Sequence, residues 1–135
     1  MGNEEKIQEE IPRGTETILV VEDEESLRKL TVRVLQDQGY RVLDAAQGDD
    51  ALLLLKQHPG PIHVVVTDMI MPGMSGPELF KRIKSLQAEI KVLYMSGYAA
   101  NAVFNHDLLK EGRSYIQKPF TSDALLRKVR EVLNR

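Results

Sequence analysis

Four short apolar runs along this chain each end in a polar side chain. Ile18–Val21 gives way to Glu22-Asp23-Glu24, Ile62–Thr67 to Asp68, Val92–Met95 to Ser96, and Tyr115–Gln117 to Lys118. Short β-branched runs bounded in this way read as strands buried on both faces. A fifth strand is predicted over Tyr40–Ala45. Between the runs the apolar spacing turns helical. After Asp23, Leu27, Leu30, Val34 and Leu35 share one predicted helical face, and Gly39 stands where a helix ends. A second helix is predicted over Asp49–Gln57, with Leu52–Leu55 too apolar to be mostly exposed and His58-Pro59-Gly60-Pro61 as its stop. A third is predicted to start near Pro77, whose missing N–H suits a first turn. A weaker one spans Ala102–Lys110. The last is capped from among Thr121, Ser122 and Asp123 and carries Leu125, Leu126, Val129 and Val132.

Strands alternating with helices predict βα units, and hence an α/β fold with a doubly wound parallel sheet. In such sheets ligands sit beyond the carboxyl ends of the strands, where strand order reverses. The polar residues that close the four runs would therefore meet at one edge.

At 135 residues the chain is the size of one domain. Residues 1–14 are rich in Glu, with a Pro12-Arg13-Gly14 breaker, and are predicted to be a flexible acidic leader or linker; residues 15–135 form the predicted domain. A net charge of −2 with dispersed Lys and Arg gives no footprint for nucleic acid. No apolar stretch approaches the roughly 18 residues that span a bilayer, and the start is charged, so a cytoplasmic location is expected. Cysteine is absent, which excludes disulfides, Cys-ligated zinc and thiol catalysis. His58, His63 and His106 lack metal-ligand spacing, and Met69, Met71 and Met74 are expected to pack under the loop. Gly73, Gly76 and Gly97 form no nucleotide-binding loop and are read as turn residues.

Acids at one strand end with Asp68 at the next make an oxygen-rich site suited to Mg2+. Taken singly, Ser96 or Lys118 would mean little, and Glu24 and Glu25 are read as solvated first-turn acids. Together, in order and at this spacing, the segments VVEDEE (Val20–Glu25), TDMIMPGMSG (Thr67–Gly76), YMSGY (Tyr94–Tyr98) and YIQKPF (Tyr115–Phe120) resemble the receiver domains of two-component response regulators. The resemblance runs from about Thr15 to the C-terminus and is most like receivers of hybrid sensor histidine kinases.

The resemblance implies a five-stranded parallel sheet in the order 2-1-3-4-5 with helices on both faces. It implies that Asp68 accepts a phosphoryl group from the phosphohistidine of a histidine kinase or phosphotransfer protein. Asp23 and Asp68 would bind Mg2+ directly, Glu22 through a water, and the Ile70 backbone carbonyl would add a ligand. The family more often has Asp where this chain has Glu22, a longer arm. Lys118 and Ser96 would engage the phosphoryl group. Ser96 and Tyr115 would carry the switch to a downstream protein through the face around strands four and five. Lys118-Pro119 matches the family's cis peptide. By the same resemblance Ile70 and Tyr98 would flank the path of attacking water, and an apolar chain and a ring there predict slow self-dephosphorylation. No turnover enzyme is expected: a small Mg2+-dependent phosphatase would need a second general acid and a cap, and the sequence offers neither. A phosphorylation-independent binding module of the same fold is the other reading. A monomer or weak dimer is expected.

Overall fold

Five strands form one parallel sheet: β1 (Thr17–Val21), β2 (Arg41–Ala45), β3 (Val64–Asp68), β4 (Lys91–Ser96) and β5 (Ser114–Gln117), ordered β2-β1-β3-β4-β5. The computed structural model describes residues 10–97 and 114–135. The helix expected over Ala102–Lys110, with Tyr98 and His106, lies outside the described residues. Three described helices connect strands, α1 (Glu25–Asp37), α2 (Gly48–Gln57) and α3 (Gly76–Leu86), and a fourth, α4 (Ser122–Leu133), follows β5.

Side chains of a strand alternate between the two faces of its sheet, and two cores result. Leu19, Val21, Val65, Val92 and Tyr94 pack under α2 and α3 with Ala51, Leu55, Leu79 and Ile83. Ile18, Val20, Val64, Val66, Leu93 and Met95 pack under α1 and α4 with Leu35, Leu125 and Val129. Every residue of β1 and β3 is buried, so these central strands read as continuous apolar runs in the sequence.

The helix ends follow their local chemistry. Beyond α1, Gly39 takes φ +107°; its N–H donates to the Gln36 carbonyl at 3.0 Å, and the Tyr40 N–H to that of Leu35 at 3.2 Å. This is the left-handed glycine closure the sequence predicts. Ser75 caps α3 by accepting from the Glu78 N–H at 3.2 Å, and Thr121 caps α4 by accepting from Ala124 at 3.1 Å.

Two expectations change. Leu30 is 57% exposed, and Thr31 takes the buried place beside Leu35, its hydroxyl donating to the Leu27 carbonyl at 2.8 Å. The apolar face of α1 is thus rotated one residue from the one predicted, because a back-bonded threonine needs no outside partner. Second, Gln38 donates to the carbonyls of Ile11 at 2.7 Å and Pro12 at 3.0 Å, and the Gly14 N–H donates to the Gln38 carbonyl. The end of the predicted leader therefore docks on the C-terminus of α1.

Candidate functional site

The switch in strand order falls between β1 and β3, and the residues following these strands face one another. Val21 is in register with Thr67, so Glu22 and Asp68 emerge side by side. Asp68 pairs with Met95 and Ser96 with Gln117, which brings the ends of β4 and β5 to the same edge. The Lys118 N–H donates to the Ser96 carbonyl at 2.8 Å, and the Lys118-Pro119 peptide is cis.

Lys118 Nζ donates to Glu22 Oε1 at 2.8 Å and pairs with Asp68 Oδ1. Glu22 Oε2 accepts the Glu24 N–H at 3.0 Å. Glu22 and Asp68 are buried, and Asp23 beside them is exposed. Carboxylate oxygens of Glu22, Asp23 and Asp68 lie within 4.8 Å of one another. Two buried carboxylates share a single ammonium, and a third opens the cluster to solvent. An anionic, all-oxygen donor set of this kind fits a hard cation that keeps some of its waters.

Burial, reinforced by the neighbouring Glu22 carboxyl, pushes Asp68 up from 3.8 to about 7 against the opposing pull of Lys118. Burial also acts on Glu22, but its hydrogen bonds to Asp68, Lys118 and the Glu24 N–H outweigh it and hold Glu22 below its ordinary 4.5. Burial pulls Lys118 down, and the two carboxylates together lift it above 10.5. The carboxyl pair thus holds a proton, on Asp68, up to about pH 7.

Ser96 is 1% exposed, and its Oγ has no hydrogen-bond partner among the described residues. Buried hydroxyls are nearly always satisfied, so Ser96 has donor capacity not used among the described residues. Tyr115 is half-buried against the α2/α3 core, and Ile70 is 58% exposed directly after the buried Met69. Met69, Met71 and Met74 pack into the same core, as predicted for the loop beneath the site.

The structure adds supports that the sequence did not single out. Gly76 is more than a turn residue. Its N–H donates to the Met69 carbonyl at 2.9 Å, and a Cβ there would stand 2.2 Å from the Asp68 carbonyl oxygen. Thr67 is buried, with its hydroxyl donating to that same carbonyl at 3.0 Å. Arg28 reaches the backbone of Glu22 at 2.8 Å and Asp44 on β2 at 3.1 Å. Nothing in the local pattern of α1 marks Arg28, because its partners come from other elements.

The family model for the response regulator receiver domain matches residues 18–130. The chain belongs to the response regulator receiver domain family. Over 123 residues it is 37% identical to the sensor kinase CckA of Brucella abortus, a match that covers 90% of this chain and 13% of that kinase. The solved receiver domain of the hybrid histidine kinase CckA superposes with a TM-score of 0.72 at 31% identity, covering 87% of this chain and 98% of that one. The response regulator protein TrrA from Thermotoga maritima, solved in complex with Mg2+ and BeF, gives a TM-score of 0.73 at 31% identity, covering 87% and 99%. The strand order is the one the receiver resemblance implied. Receiver domains are signalling modules rather than turnover enzymes. No described helix is long and apolar enough to cross a membrane.

Proposed function

We propose that this receiver domain takes a phosphoryl group onto Asp68 from the phosphohistidine of a histidine kinase or phosphotransfer protein, and that the modified domain engages a downstream protein through the surface around β4 and β5. The observation that carries this reading is the meeting of Glu22, Asp23, Asp68 and Lys118 at the switch in strand order, beside a buried Ser96 hydroxyl with no partner among the described residues.

An Asp68 carboxylate oxygen forms the new bond to phosphorus as the bond from phosphorus to the donor imidazole nitrogen breaks, its electron pair leaving with the imidazole. Asp68 must be ionised for this, so the proton it holds below about pH 7 has to depart. Asp23 and Asp68, with the Ile70 carbonyl and with Glu22 through a water, would hold Mg2+, which when bound offsets charge on the phosphoryl oxygens. Lys118 already contacts the carboxylate and has only to follow the charge onto the new group. Ser96 donates its hydroxyl, which has no partner among the described residues, to the same oxygens, and the backbone at the end of β4 follows it. Tyr115, on the neighbouring strand and half-buried, can change its exposure with that movement.

Incubation with Mg2+ and acetyl phosphate followed by intact mass measurement tests the reading. One phosphoryl adduct on the wild type and none on Asp68→Asn is the expected result. No adduct, under conditions where Mg2+ is shown to bind, would instead favour a binding module that works without phosphorylation.

A further inference from the structure

The turn that delivers Glu22 and Asp23 is held from outside its own element. Glu24 stands at the N-cap of α1 and makes no side-chain capping hydrogen bond, so the usual local fixing of a helix start is missing. Arg28, in the first turns of α1, replaces it. Its Nη1 donates to the Glu22 carbonyl at 2.8 Å, and its Nε donates to Asp44 Oδ2 on β2 at 3.1 Å. The Glu22 N–H donates in turn to the carbonyl of Ala45, the residue after Asp44, at 3.1 Å.

Both polar groups of the Glu22 backbone are therefore referenced to one short stretch of β2, directly through Ala45 and indirectly through Arg28 and Asp44. The Arg28 side chain is 17% exposed and its bond to the Glu22 carbonyl is partly buried, while the bond to Asp44, itself 44% exposed, lies at the surface. A planar guanidinium can hold a carbonyl and a carboxylate at a fixed separation, which an ammonium on a flexible stem cannot. From this turn the Glu22 carboxylate reaches into the site, where it accepts from Lys118 and from the Glu24 N–H.

We infer that Arg28, anchored by Asp44, is a positioning residue for the cation site: it fixes the turn bearing Glu22 and Asp23 so that their oxygens are already gathered before a cation arrives. No contact joins Arg28 to Asp68 or Lys118 among the hydrogen bonds and ion pairs described here, so it acts through Glu22. The inference rests on reading the acid cluster as a Mg2+ site.

Calorimetric titration of Mg2+ into the full chain tests it, at a temperature where circular dichroism shows every variant folded. Arg28→Ala is expected to weaken Mg2+ binding roughly 10-fold, the scale seen when groups that orient metal ligands are lost. Asp44→Ala should weaken it less. Arg28→Lys, which can still reach the Glu22 carbonyl with one donor, should recover part of the loss. The double variant should bind no more weakly than Arg28→Ala alone, because Asp44 acts only through Arg28. A residue that merely tied α1 to β2 would leave the affinity of the folded protein unmoved, so wild-type affinity in Arg28→Ala overturns the inference. If that variant does not fold, wild-type affinity in Asp44→Ala overturns it. Absence of Mg2+ binding by the wild type, or binding indifferent to Asp23→Asn, would instead bring down the cation-site reading and this inference with it.

Discussion

Lys118 and Glu22 stand 96 positions apart in the chain and meet at 2.8 Å, with the same ammonium also paired to Asp68. One cation thus serves two buried carboxylates. The pair it neutralises only in part keeps a proton on Asp68, and this makes the site sensitive to pH.

Asp68 titrates near 7 in the folded chain, against an ordinary 3.8. A carboxyl raised in this way contributes stability that is complete below its unfolded value and is lost as pH rises through the folded one. Glu22 is lowered, so its own contribution is present above 4.5 and lost in acid. With EDTA present, thermal stability is expected to fall between about pH 4 and about pH 7 and to level off above, and Asp68→Asn to remove that slope and to be more stable than wild type above pH 7 by on the order of 2 kcal/mol. Melting curves followed by circular dichroism check this; a flat wild-type profile would contradict the shared proton.

Gly76→Ala places a methyl group 2.2 Å from the Asp68 carbonyl oxygen, and a backbone atom in a central strand cannot swing aside. The start of α3 must then lift from β3. A loss of at least ~2 kcal/mol is expected in urea denaturation, with slower phosphorylation because the loop carrying Ile70 moves with it.

Arg130 reaches from α4 to Glu16 at 2.5 Å, and its guanidinium lies 5.9 Å from the centre of the Tyr40 ring. Its hydrogen bond holds Glu16 below its ordinary 4.5. That contribution is present above pH 4.5 and disappears as pH falls through the lowered value. Arg130→Ala is therefore expected to cost about 1 kcal/mol near neutral pH, since both groups are partly solvated. The gap to wild type should narrow in acid. Paired urea titrations at the two pH values measure it.

Ile70 follows Met69 out of the core and stands 58% exposed at the mouth of the site. If an apolar chain there impedes attacking water, Ile70→Asn should shorten the lifetime of the Asp68 adduct severalfold, and Tyr98→Glu should do the same. Decay of the adduct by intact mass gives the answer, and unchanged lifetimes would remove both residues from that role.

Much of the site was legible because its members end apolar runs. Asp68, Ser96 and Lys118 each interrupt a buried strand with a polar group, and a parallel sheet has only one carboxyl edge at which to gather them. Leu30 and Thr31 show where periodicity misled: spacing alone favours the leucine, while the Thr31 hydroxyl is satisfied within its own helix and can be buried without penalty. Gly76, Arg28 and Asp44 carried no local signal.

By itself the sequence determined the alternation of strands and helices, the glycine closure after α1, the start of α3 near Pro77, the cap of α4, and the residues that could form an acidic site. These depend on spacing, backbone freedom and hydrogen bonds within a few positions, which adjacent residues are enough to specify. Only the tertiary structure decided that Lys118 is shared between Glu22 and Asp68, that Asp68 retains a proton to about pH 7, that a Cβ at position 76 would strike the Asp68 carbonyl, and that Arg28 fixes the Glu22 turn against β2. Charge sharing, desolvation and steric exclusion act between atoms near in space, and the distances that set them come into being only when the sheet closes.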